Sequence, residues 1–263
     1  MKLPLLLTAA LAAFTLQATA QTTAPAAPSR AMADQVATKK GFLTVQPITH
    51  GSVVLAWNGK TIYVDPYGGA EAYAGLAAPD IILITDIHGD HLDPKTLASL
   101  PVGKALMLVP RAVAEQLPAQ YKTQVRILNY GQQLDTLGLR VAAIPMYNLP
   151  ETADSRHPKG RGNGYILTLG GKNVYLSGDT EATAEMRALK NIDVAFVCMN
   201  LPYTMDVNQA AQGVLAFKPG IVYPYHYRGQ DGLSDVAKFQ KTVQAANKKI
   251  EVRLRNWYPA AAK

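Results

Sequence analysis

The apolar run Ile81-Ile82-Leu83-Ile84 stops at Thr85-Asp86-Ile87-His88-Gly89-Asp90-His91-Leu92-Asp93, so that a short, strand-like segment closes on two histidines and three aspartates. A buried strand that ends this way must aim its polar groups into a shared space. Neutral imidazole and ionised carboxylate together are the donors that hold zinc, manganese or iron near neutral pH. Positions 86 and 88 share one face of an extended chain and can aim at one ion, whereas Asp90 and His91, past the start of the turn, can aim at a second. A plain strand-to-helix loop would need a single capping side chain. Asp93 followed by Pro94 meets that need as N-cap and first helical residue, and leaves the rest of the cluster unexplained.

The chain has only three other histidines, His50, His157 and His226. His226 follows the β-branched and aromatic run Ile221-Val222-Tyr223-Pro224-Tyr225, which reads as a strand. Asp179 follows Val174-Tyr175-Leu176-Ser177-Gly178, where a strand runs into a Gly-Asp turn and a helical stretch from about Glu181 to Lys190. Metal-ligating types thus recur at the ends of separate strands, where α/β architectures bind ligands. His50 receives no role from its neighbours.

This pattern resembles the metallo-β-lactamase-fold hydrolase superfamily, whose signature is His-x-His-x-Asp-His after a strand, then a separate histidine, a Gly-Asp turn and a final histidine. It is most similar to the branch of ascorbate-phosphate lactonases and N-acyl phosphatidylethanolamine phospholipase D-like enzymes. The likeness runs over about residues 41 to 255 and includes Gly51-Ser52-Val53-Val54-Leu55 and the Val64-Asp65-Pro66 turn. It implies a four-layer αββα sandwich with metals at one edge of the paired sheets. It also implies Asp86 and His88 at a first metal site, Asp90, His91 and His226 at a second, and Asp179 as a bridging carboxylate.

Two positions depart from the signature. Asp86 stands where the family usually has histidine, and a carboxylate tilts preference towards manganese, iron or magnesium relative to zinc. Asn148, after Ala143-Ile144-Pro145-Met146-Tyr147, stands where a third first-site histidine is expected. An amide oxygen is a weak ligand, so His157, nine positions on, is an alternative metal or substrate contact. Tyr147, Lys159, Arg161 and Arg228 are candidate substrate-binding residues, arginine being suited to bidentate recognition of carboxylate or phosphate.

The expected cofactor is one or two divalent ions, zinc, manganese or iron. The expected chemistry is attack by a metal-bound hydroxide on an ester, lactone, phosphodiester or related bond, with Asp90 orienting the water or shuttling its proton. Two rivals remain open. One is a degenerate binding protein of the same fold, with one ion or none and no turnover. The other is an oxidoreductase, for which the sequence shows no flavin or electron-transfer motif.

The N-terminus bounds the compartment. Lys2, the apolar stretch from Leu3 to Leu16 and the small residues Ala18-Thr19-Ala20 compose a secretory signal over residues 1 to 20. The stretch is too short for a stable membrane span, and no cysteine follows it for lipid attachment. Residues 21 to 40, rich in Thr, Ala and Pro, read as a flexible tether, leaving 41 to 263 as the hydrolase domain. The expected location is periplasmic or secreted. The 26 basic and 19 acidic residues give +7, and loss of Lys2 with the signal leaves 25 against 19, or +6. A modestly basic surface aids encounter with anionic substrates or a membrane surface, and the expected partner is a small-molecule or lipid-like substrate, anionic ones included. No Lys/Arg block marks a nucleic-acid site. Cys198, the only cysteine, lies in the apolar run Val194 to Cys198 and reads as a core thiol.

Short runs of strand character begin at Phe42 and recur to Leu254, and helical patterns fit Pro94 to Leu100, Pro110 to Leu117, Thr180 to Lys190, Val207 to Phe217 and Asp235 to Asn247. Strands first, then strand and helix in alternation, imply sheets covered by helices.

Overall fold

The computed structural model describes residues 30–259. The expected secretory signal lies outside the described residues. The strands form two seven-stranded mixed sheets. The first takes its strands in chain order: β1 (Asp34–Ala37), β2 (Phe42–Pro47), β3 (Val53–Trp57), β4 (Lys60–Val64), β5 (Ile81–Leu83), β6 (Leu106–Val109) and β7 (Val125–Ile127). The second contains β8 (Gln133–Thr136), β9 (Leu139–Met146), β10 (Gly162–Leu169), β11 (Lys172–Leu176), β12 (Val194–Cys198) and β13 (Ile221–Tyr225). A short hairpin of β14 (Arg228–Gly229) and β15 (Gly232–Leu233) follows, and β16 (Glu251–Val252) closes the second sheet beside β13.

Period-2 alternation sorts side chains between layers. In the first sheet Val53, Leu55, Ile62, Val64, Ile81, Leu83 and Leu108 join the core shared with the second sheet. The intervening Val54, Tyr63, Ile82, Met107 and Val109 pack on the other face with Leu97 of α1 (Pro94–Ser99) and Val113 of α2 (Arg111–Gln116). The β3–β4 hairpin turns on Asn58-Gly59, both with positive φ, which matches the twist of the strands it joins. β12 is buried on both faces, which is why its sequence is an unbroken apolar run. Its Phe196 stacks on Tyr223 and meets Tyr225 and Trp257 edge-on. After α3 (Ala184–Arg187), the longer helices α4 (Val207–Phe217) and α5 (Val236–Ala246) bury Ala210, Val214, Phe217, Phe239 and Val243 against the core, giving the four αββα layers.

Besides the small β14–β15 hairpin, which the sequence does not mark, three elements differ from the sequence expectation. The expected tether over 21–40 includes β1, which pairs antiparallel with β2 from Asp34 to Ala37. The helix expected over 180–190 shrinks to α3, because Thr183 caps it through Met186 N–H (3.2 Å) and the Thr180 hydroxyl bonds to Tyr147 O (3.2 Å) instead of allowing a helical turn. β8 was not anticipated. Asp93 does cap α1, accepting from Lys95 N–H at 3.0 Å.

Candidate metal centre

The loops that leave β2, β5, β9, β11 and β13 gather at one edge of the paired sheets. After β5 the backbone N–H of Thr85 donates to Asp65 Oδ1 (2.7 Å) and its hydroxyl to Oδ2 (2.6 Å), so the buried Asp65 at the end of β4 fixes where the donor loop begins. His91 N–H and Leu92 N–H then both donate to His88 O, at 2.9 and 2.8 Å, closing the turn that sends successive side chains inward. Gly51 lies against the rings: a Cβ there would meet both His226 Cδ2 and His91 Cε1 at 3.4 Å, in van der Waals contact.

Three groups of donor atoms result. Asp86, His88 and His157 form one; His91, Asp179 and His226 a second; and His50, Asp90 and His226 a third, the atoms of each lying within 4.8 Å of one another. Asp179 reaches across them, with Oδ2 3.4 Å from His157 Nε2 and 3.4 Å from His91 Nε2, and Oδ1 3.3 Å from His226 Nε2. Asp90 Oδ2 is 3.2 Å from His226 Nε2. Asp86 Oδ2 is 2.7 Å from His88 Nδ1 and 3.9 Å from His157 Nε2.

The two residues left open by the sequence, Asn148 and His157, have complementary places. Asn148 Oδ1 accepts from the backbone N–H of His157 (2.8 Å) and lies 3.0 Å from its Nδ1, while its amide donates to Tyr203 O (2.9 Å) and Glu181 Oε1 (3.2 Å). With every amide atom engaged, Asn148 orients the ring and His157 Nε2 faces the centre. Asp65 does the same for His91, whose Nδ1 is 2.8 Å from Asp65 Oδ2. A histidine whose far nitrogen donates to an oxygen presents a lone pair from the other.

These residues fit divalent cations. His157 Nε2 and Asp179 Oδ1 are buried with no hydrogen-bond partner, an arrangement that costs about 1–3 kcal/mol for each such atom unless something else satisfies it. His91 Nε2 and His226 Nε2 lie 3.3 Å apart, so that both rings aim the same nitrogen at one point beside Asp179. Burial opposes the Asp179 charge, yet His226 and His91 outweigh it and hold the carboxyl well below the ordinary range. Burial likewise opposes a proton on His91, but Asp179 and Asp65 hold the imidazole well above its usual value. Donors are all nitrogen and oxygen; Cys198 is in none of the three groups, its thiol pushed up to about 12 by burial and then by Asp179, and donating to Thr180 O (3.4 Å).

The candidate substrate residues divide. Arg161 is a bidentate partner of Asp86 (3.1 and 3.0 Å) and also donates to Arg156 O (2.6 Å), which turns it towards the centre's scaffold. Against its opposing burial, Asp86 is held down to about 2 by His88, His91 and this guanidinium. Lys159 pairs with Glu185 (2.9 Å) and Glu151 (3.3 Å) and lies over the Tyr147 ring, whose hydroxyl donates to Glu185 (2.7 Å). Only Arg228 of the four lines the cleft of about 270 Å³ above the centre, with His50, Asp90, Asp179 and His226. That cleft also exposes Arg156, Asn200 and Tyr203. His50 and Arg156 were given no role from the sequence. The signal for His50 was its place immediately before Gly51-Ser52, at the turn into β3.

A family model described as the β-lactamase superfamily domain matches residues 44–226. A UPF0173 metal-dependent hydrolase of Pyrococcus abyssi is 30% identical over 196 residues, covering 70% of this chain and 85% of that protein. Among solved structures, a candidate metal-dependent hydrolase from Parabacteroides distasonis is similar with a TM-score of 0.76 and 37% identity, over 86% of this chain and 98% of that one. The metallo hydrolase Igni18 of Ignicoccus hospitalis has a TM-score of 0.69 and 25% identity, over 81% and 94% of the two chains.

Proposed function

The chain belongs to the β-lactamase superfamily of metal-dependent hydrolases, and on that premise we propose that it is an exported enzyme with two divalent ions that hydrolyses an ester, lactone, phosphodiester or related bond. Asp86, His88 and His157 would hold the first ion, Asp90, His91 and His226 the second, and Asp179 would reach both. The observation that carries this reading is the convergence of Nε2 of His91, His157 and His226, from separate loops, upon Asp179, with His157 Nε2 and Asp179 Oδ1 buried without a hydrogen-bond partner. Imidazole and carboxylate without thiolate favour zinc, manganese or iron.

Such ions supply Lewis acidity and a water of lowered pKa. The chain supplies everything that positions the reaction. Asp65 and Asn148 engage Nδ1 of His91 and His157, so that Nε2 is the nitrogen each ring turns to the centre. Arg161 balances the Asp86 charge. Asp90 is the part-exposed carboxylate of the centre, and its Oδ2 is placed to take a proton released in the cleft. Burial, then the nearby His226, pushes His50 down to about 4, so it stands neutral at the cleft wall as a hydrogen-bonding group.

The test combines metal content with a panel of ester, lactone and phosphodiester substrates. Asp90→Ala with His91→Ala is expected to lose both an ion and hydrolysis; retention of both would sink the proposal. A non-catalytic binder is the second reading, favoured by Asp86 being engaged bidentately by Arg161. Full metal loading without turnover across the panel would select it. Export is tested by N-terminal sequencing of protein from fractionated cells, which is expected to start at Gln21.

A further inference from the structure

Two cationic side chains beside the centre have a carboxylate partner: Arg161 has Asp86 and Lys159 has Glu185. Arg156 and Arg228 do not pair with a carboxylate among the described residues, and both line the cleft over Asp90 and His226. Each guanidinium instead lies over a tyrosine ring, Arg156 over Tyr203 and Arg228 over Tyr258, both 4.3 Å from the ring centre. A ring against one face restrains the guanidinium plane and leaves its N–H edge free, the edge that forms paired hydrogen bonds with planar or tetrahedral oxyanions. Tyr258 is itself fixed, its hydroxyl accepting from Arg228 N–H (3.1 Å) and meeting His50 Nδ1 at 3.4 Å. A second cavity of about 270 Å³ shares His50 and Arg228 with the first and adds Arg30, Tyr67 and Tyr258 to its walls.

We propose that Arg156 and Arg228 form an anion clamp, and that the natural substrate is a small molecule bearing a carboxylate or phosphate group beside the bond that is cut. Two unpaired guanidiniums at the mouth of a centre built from Asp86, Asp90 and Asp179 also offset the repulsion that those carboxylates would exert on an incoming anion. The second cavity takes the remainder of the molecule. Anion capture itself is independent of turnover; the position of the cut bond beside it rests on the hydrolase reading.

The test is calorimetric titration of the metal-loaded protein with inorganic phosphate and, separately, with succinate. Affinity for at least one of them is expected to fall about tenfold in Arg228→Gln and about a hundredfold in Arg156→Gln/Arg228→Gln, in keeping with one charge-assisted hydrogen-bonding group lost per substitution. Metal content should not change in these variants, and the tighter probe names the anionic group. Arg140→Gln removes the same charge from a surface pair with Asp135 and is expected to leave both affinities unaltered. Equal affinity in wild type and the double variant would overturn the clamp, as would an equal loss in Arg140→Gln, which would reduce the effect to net charge. If the wild type took up no ion yet bound phosphate through the two arginines, the clamp would stand and the hydrolase reading would fall.

Discussion

The first half of the molecule, β1 to β7, and the second, β8 to β16 without the small hairpin, follow one plan: antiparallel strands, then parallel ones. Even a surface detail recurs. Lys60 pairs with Asp80 (3.0 Å) while Thr61 N–H donates to the same carboxylate, and Lys172 pairs with Asp193 (2.8 Å) while Asn173 N–H does likewise. The donors, however, are distributed unequally. One loop of the first half supplies Asp86, His88, Asp90 and His91 and another only His50, whereas three loops of the second supply His157, Asp179 and His226. His91 lies between corresponding carboxylates, Asp65 after β4 at 2.8 Å and Asp179 after β11 at 3.4 Å. In the first half that carboxylate braces a ring, and in the second it faces the centre. A shared scaffold therefore sets where polar residues emerge, while the loop after each strand decides whether they brace or bind.

The halves should differ most in what their cores tolerate. Phe196→Ala empties the aromatic cluster buried between layers of the second half and is expected to cost about 3–5 kcal/mol in denaturant unfolding. Leu97→Ala, on the face of α1 that packs against the outer side of the first sheet, should cost about 2–5 kcal/mol and lie nearer the lower end, because the helix that carries it is only six residues long. A larger loss at Leu97 would reverse that ranking.

Bracing comes next. Asp65→Asn keeps an acceptor for His91 but removes its charge, and a loss of about 10–100-fold in metal affinity or turnover is expected. Asn148→Leu frees His157 Nδ1 and should cost about tenfold, with Asn148→Asp losing less because it still accepts. Equal metal affinity in all three variants would mean that the rings are held by packing alone.

The recurring surface pairs should matter least. Thr61 N–H, against weak opposing burial, and Lys60 lower the Asp80 pKa, so its contribution is present above the unfolded carboxylate pKa and fades as pH falls through the folded one. The part-exposed Lys60–Asp80 pair is expected to be worth roughly 0–1 kcal/mol at neutral pH, a difference that Asp80→Asn should show at pH 7 and lose in acid. A pH-independent difference would assign it to packing.

Legibility in the sequence followed the range of the interaction. Buried strands could be read because their β-branched runs are contiguous, and β12 showed double burial by having no polar alternation. β1 and β8 could not, since Asp34-Gln35-Val36-Ala37 and Gln133-Leu134-Asp135-Thr136 are largely polar edge segments that only pairing makes strands. The donor cluster after β5 was local and visible. The choice between Asn148 and His157 stayed open because it depends on which amide atom faces which ring nitrogen. Asp65 was visible only as a turn, and His50 meets His226 across 176 residues of chain, with ring centres 5.5 Å apart.

Metal content per chain, measured side by side for the wild type and His157→Ala, tests the central claim most directly. The account predicts close to two ions in the wild type after saturation with manganese or zinc, and one fewer in His157→Ala with the fold retained by circular dichroism. Two ions in both proteins, or none in the wild type, would contradict it.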